Sequence, residues 1–76
     1  MSKFKFGDVV RPSKLYRDRY SYDWPVKLNI KAVVIEINPQ FHDNFLGEPI
    51  RLYFNKVPEG RNPEIILWED LFELDN

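Results

Sequence analysis

The sequence holds few groups able to carry out a reaction. Its single histidine, His42, stands in the run Phe41-His42-Asp43-Asn44. A catalytic imidazole needs a partner that it activates or that orients it, and a metal needs three or four ligands; Asp43 alone meets neither requirement. A lone loop histidine of this kind is read as solvent-exposed and idle. Cysteine is absent, which removes thiolate nucleophiles, cysteine-ligated zinc and any disulfide framework, and fits a reducing compartment. No nucleophile-elbow, phosphate-loop, dinucleotide or zinc-binding spacing occurs. Carboxylates stand singly at Asp18, Asp23 and Asp43 and as the neighbours Glu69-Asp70. Neighbours on a strand point to opposite faces, so Glu69 and Asp70 could share a site only within a turn, and a solvated acidic turn is expected there. The reading is non-catalytic, with no metal and no cofactor.

One segment has a different character. Residues 15–25, Leu-Tyr-Arg-Asp-Arg-Tyr-Ser-Tyr-Asp-Trp-Pro, carry Tyr16, Arg17, Arg19, Tyr20, Tyr22 and Trp24. Tyr, Trp and Arg dominate interface hot spots because each combines a large contact area with a polar handle. Together with Tyr53, these residues form the candidate binding surface. Aromatic rings interleaved with arginine also suit stacking on unpaired bases, with Arg17, Arg19, Lys27 and Lys31 as phosphate contacts. Against both stands a structural role, in which Tyr16, Tyr20 and Trp24 fold back as a lid on a core too small to close itself.

The elements that position these residues follow from four apolar runs, each rich in β-branched or aromatic side chains and bounded by turn formers. Residues 4–11 form the first and Pro12 ends it. Residues 28–38 form the second, around Val33-Val34-Ile35, and Asn38-Pro39 closes it. Residues 49–54 alternate with a period of two: Ile50, Leu52 and Phe54 lie on one face, Arg51 and Tyr53 on the other. In the fourth run, residues 65–68 read as a strand, Glu69-Asp70-Leu71 as one tight turn, and Phe72-Glu73-Leu74 as a short last strand. A short helix over 68–74 is the competing reading, disfavoured by its length. Val34 and Trp68 are expected in the core.

At 76 residues, with 43% hydrophobic and 16% aromatic content, the chain supports one domain, 1–76, with one modest core. Gly7-Asp8 interrupts any signal-peptide pattern, and no apolar run is long enough to cross a membrane, so a cytoplasmic protein is expected. The net charge is −1, which argues against a dedicated polyanion binder. It hides an asymmetry: residues 1–38 hold eight basic against four acidic side chains, and residues 39–76 hold three against eight. In a compact domain the two halves interleave, so this need not become a two-sided surface.

The opening Phe4-Lys5-Phe6-Gly7-Asp8-Val9-Val10-Arg11, the central Val33-Val34-Ile35 and the close Leu67-Trp68-Glu69-Asp70-Leu71-Phe72-Glu73-Leu74 resemble small SH3-like barrel proteins, many encoded by bacteriophages or bacteria. In such proteins an F-x-x-G-D-x-V-like start forms the first strand, and a W-x-x-L-like end forms a 3₁₀ turn leading into the last strand. The resemblance implies an all-β, five-stranded SH3-like barrel with a short 3₁₀ turn before the final strand, and it transfers no activity. The expected function is a non-catalytic protein-binding module, a phage-encoded factor docking on a host protein in the host cytoplasm. The alternatives are a nucleic-acid accessory protein and an assembly subunit whose edge strands pair between copies.

Overall fold

The computed structural model describes residues 3–22, 24–40 and 43–75. Its elements are β1 (Val9–Pro12), α1 (Lys14–Arg19), β2 (Ala32–Ile37), β3 (Pro49–Tyr53), β4 (Glu64–Trp68), a 3₁₀ turn (Glu69–Leu71) and β5 (Phe72–Leu74). The five strands form one antiparallel sheet in the order β4-β3-β2-β1-β5. The all-β expectation is met. Among the described residues no ladder joins β4 to β5, so the sheet is open. Its two edges are nevertheless consecutive in the chain, separated only by the 3₁₀ turn.

The period of two in β3 sets the inner face. Ile50, Leu52 and Phe54 are fully buried, while Arg51 and Tyr53 point outward. Their β2 partners, Val34 beside Leu52 and Ile37 beside Ile50, share that inner face, and a register shift between Val34 and Glu36 absorbs Ile35. Val10, Ala32, Leu71 and Phe72 add to the core from β1, β2, the 3₁₀ turn and β5, with Phe4 and Tyr16 beside them. Val34 is fully buried as expected. Trp68 is only half-buried; among the described residues β4 is the last strand of the sheet on that side.

Two strands are shorter than their apolar runs. In residues 4–8 a tight turn competes with extension: the Asp8 N–H donates to the Lys5 carbonyl (3.0 Å) and the Asp8 carboxylate accepts from the Lys5 N–H (2.9 Å). Phe4 reaches the core, but Phe6 is left exposed and β1 starts at Val9. Residues 26–29 likewise form a turn closed by Asn29 N–H to the Val26 carbonyl (3.0 Å), which delays β2 to Ala32.

Candidate functional site

The connection between β1 and β2 holds α1, a helix that the aromatic density of residues 15–25 did not announce. Ser13 caps it, its Oγ accepting from the Tyr16 N–H (3.4 Å), and Tyr16 and Tyr20 fall four residues apart on one face. That face turns inward. Tyr16 is buried, its ring edge-on to Phe72 (5.5 Å between centroids) and to Tyr20 (5.6 Å), with Tyr20 half-buried beside it. Trp24 is half-buried and lies against Phe54 at 4.7 Å. Tyr22 points to solvent, 76% exposed. The aromatic segment is therefore divided: Tyr16 and Trp24 close the core, Tyr20 lies at its margin and Tyr22 stands free of it.

The arginines and lysines are scattered. Arg17 and Arg19 are exposed on α1, Arg17 donating to the Pro12 carbonyl (3.1 Å). Lys27 is exposed in the turn before β2, and Lys31 is paired with Asp75 at 2.9 Å. Arg11 joins the same group, contacting Glu73 (2.9 Å) and Asp75 (3.4 Å). The hydrogen bond from Lys31, with its charge and that of Arg11, holds the Asp75 carboxyl below its ordinary range. Four ion pairs (Lys3–Asp70, Arg11–Glu73, Arg11–Asp75 and Lys31–Asp75) join the basic first half of the chain to the acidic second half. The sequence asymmetry is thus partly consumed inside the fold.

Two surface hollows involve the candidate aromatics. One, of about 320 Å³, is a shallow saddle on the outer sheet face, where Val9, Val33 and Tyr53 are neighbours across β1, β2 and β3, flanked by Lys31 and Asn55. Tyr53, 41% exposed, therefore belongs to a different surface from Tyr16 and Tyr20. The other, of about 170 Å³, is a groove with Tyr16 and Tyr20 as one wall, Phe45 and Leu46 as the other, and Leu67, Trp68 and Leu71 lining it from the β4 corner. Phe45 is 62% exposed and stands edge-on to Trp68 at 5.5 Å; the Trp68 indole N–H donates to the Asp43 carbonyl (3.2 Å). The saddle is larger but flanked by polar groups, whereas the groove gathers four aromatic rings, those of Tyr16, Tyr20 and Trp68 with polar tips and that of Phe45 wholly apolar, in a concave strip. Its volume is below the roughly 300–1,000 Å³ of small-molecule pockets and suits one or two side chains of a polypeptide.

The 3₁₀ turn fixes both walls. Ser13, the cap of α1, donates from Oγ to the Asp70 carbonyl (2.8 Å) and from its N–H to the Leu71 carbonyl (2.9 Å). On the other side, the Asp70 N–H donates to the Leu46 carbonyl (3.0 Å) and the Glu69 N–H to the Glu48 carbonyl (2.9 Å). The Glu69 carboxylate accepts from the N–H groups of Glu48 (2.7 Å) and Lys3 (2.9 Å). Glu69 is only 8% exposed, which corrects the solvated acidic turn expected at this pair; Asp70 does face solvent, beside Lys3 at 3.4 Å. Gly47 makes the approach possible. It has φ +87°, and a Cβ there would lie 2.6 Å from Glu69 Cγ.

Of the residues singled out in the sequence, the groove gathers Tyr16 and Tyr20 but not Tyr22, Trp24 or Tyr53. It adds Phe45 and Trp68, whose loop and corner carried the signal of an aromatic beside a turn glycine and of Trp68 and Leu71 three residues apart. Phe41, His42 and Asp23 lie outside the described residues. No protein-family model, curated protein or solved structure matches the chain.

Proposed function

We propose that the chain is a non-catalytic protein-binding module built as a small SH3-like barrel, and that it docks an extended segment of a partner protein in the groove between α1 and Phe45. What supports the barrel is connectivity: β4 and β5 end the sheet on opposite sides, yet only the three residues of the 3₁₀ turn join them, which brings the two edges near each other at that corner. What supports docking is the groove itself, where Tyr16, Tyr20, Phe45 and Trp68 stand around one concave strip. Among the described residues its lining holds no carboxylate, imidazole or ammonium group, which favours binding over acid–base work. Large aromatic rings, several of them with a polar tip, are the usual anchors of an interface. The matching occupant is an extended peptide offering one or two apolar side chains. Arg17 and Lys31 are already engaged within the fold, which favours this reading over phosphate recognition.

A displayed random-peptide library panned against the whole chain tests the reading. Binders should share an apolar pair in an extended sequence, and Phe45→Ala should weaken them by about 2 kcal/mol or more while Tyr53→Ala leaves them unchanged. Binders weakened by Tyr53→Ala and indifferent to Phe45→Ala would move the site to the outer saddle.

A further inference from the structure

We propose that β4 is a self-pairing edge, through which two copies of this chain join antiparallel into one continuous ten-stranded sheet. The β3–β4 ladder fixes which backbone groups are free. At its two ends the Phe54 N–H donates to the Pro63 carbonyl and the Glu69 N–H to the Glu48 carbonyl, each at 2.9 Å. Hydrogen-bonded pairs recur every second residue, so Ile65 and Leu67 spend their backbone groups on β3, and those of Glu64 and Ile66 turn to the open edge. The Glu64 N–H is taken by the Asn62 side chain at 2.9 Å. That leaves the N–H and C=O of Ile66 at the middle of the edge.

Strand edges are commonly blunted by lysine, proline, a bulge or shortness. The β5 edge is three residues long, with Glu73 held by Arg11. The β4 edge, Glu-Ile-Ile-Leu-Trp, is five residues with no proline, no lysine and an unbroken register against β3. Its inner-face residues Ile65 and Leu67 stay half-exposed although their partners Leu52 and Ile50 are fully buried. A further strand carrying apolar residues at matching positions would complete that face.

A second copy supplies that strand. With the two-fold axis at Ile66, the two Ile66 residues exchange a pair of hydrogen bonds, Ile65 of each copy faces Leu67 of the other on the inner side, and Glu64 faces Trp68. The strand's one charged residue never meets its own copy. On the outer face each Ile66 is flanked by Arg51, already neutralised by Glu36 at 2.7 Å, so no like charges confront each other across the seam. Five residues a side fall short of the roughly 1,200 Å² of a standard stable interface, so the dimer is weak and concentration-dependent.

Sedimentation of the whole chain over a hundredfold concentration range ending near about 1 mM, the scale of weak association, measures it directly. The average mass should climb towards that of a dimer, and exchange of the Ile66 amide should slow as it does. Ile66→Pro removes an N–H that β3 does not use, and Ile66→Lys sets two ammonium groups opposite each other on the axis. Both variants should melt within a few degrees of the parent and remain monomeric. A monomer at every concentration would overturn the proposal. So would a dimer that both variants preserve, or an edge that captures a strand of another protein while the chain itself stays single.

Discussion

Glu69 shows how one side chain can organise a surface without taking part in binding. Its carboxylate gathers two backbone N–H groups from segments 21 and 66 residues away in sequence, and the turn that carries it anchors both walls of the groove. Removing a partner from buried donors costs about 1–3 kcal/mol, so Glu69→Ala should lower the melting temperature and loosen the Phe45 wall together. Gly47→Ala should act in the same direction from the other side, through a positive φ and a Cβ pressed on Glu69. Thermal melts of the two variants check this; a melt unchanged in both would mean that the clasp carries no load. The aromatic segment makes a parallel contrast. Trp24→Ala opens space against Phe54 and should destabilise by about 3 kcal/mol, whereas Tyr22→Ala, at an exposed ring, should fall within about 0.5 kcal/mol of the parent.

At the level of elements, β5 is the least secured strand, three residues paired only with β1, and the charges along that seam supplement its ladder. Asp75, depressed chiefly by its hydrogen bond from Lys31, contributes stability that is present above the carboxyl's unfolded pKa of about 3.9 and is lost as pH falls through its lower folded value. Melting temperature should therefore fall as pH drops below about 4, and Asp75→Asn should flatten that dependence. The effect is small because its partners Arg11 and Lys31 are largely exposed, which screens the pairs. An unflattened curve would assign the acid sensitivity to other carboxylates. The strands themselves were legible from local chemistry, since period-two alternation in residues 50–54 and the tight turn at 69–71 each follow from near neighbours. Helix α1 was not, because six residues with a single aromatic, Tyr16, carry little helical signal of their own, and the Ser13 cap and tertiary burial of Tyr16 decide the outcome. The groove was half legible: Tyr16 and Tyr20 stood out in sequence, but Phe45 and Trp68 join them only through long-range hydrogen bonds of the 3₁₀ turn.

For the whole molecule, the question is which surface meets a partner. The outer saddle around Tyr53 lies apart from the aromatic groove, which shares Leu67 and Trp68 with the β4 edge, and only the groove has both walls held by a common turn. Preorganisation of that kind lowers the ordering cost of association. The most direct measurement is an amide and indole chemical-shift titration of the whole chain with a peptide selected against it. Shifts should concentrate at Tyr20, Phe45, Leu46, the Trp68 indole and Leu71, leaving Val9, Val33 and Tyr53 in place. Shifts centred on Val9, Val33 and Tyr53, with the Trp68 indole unmoved, would contradict the account.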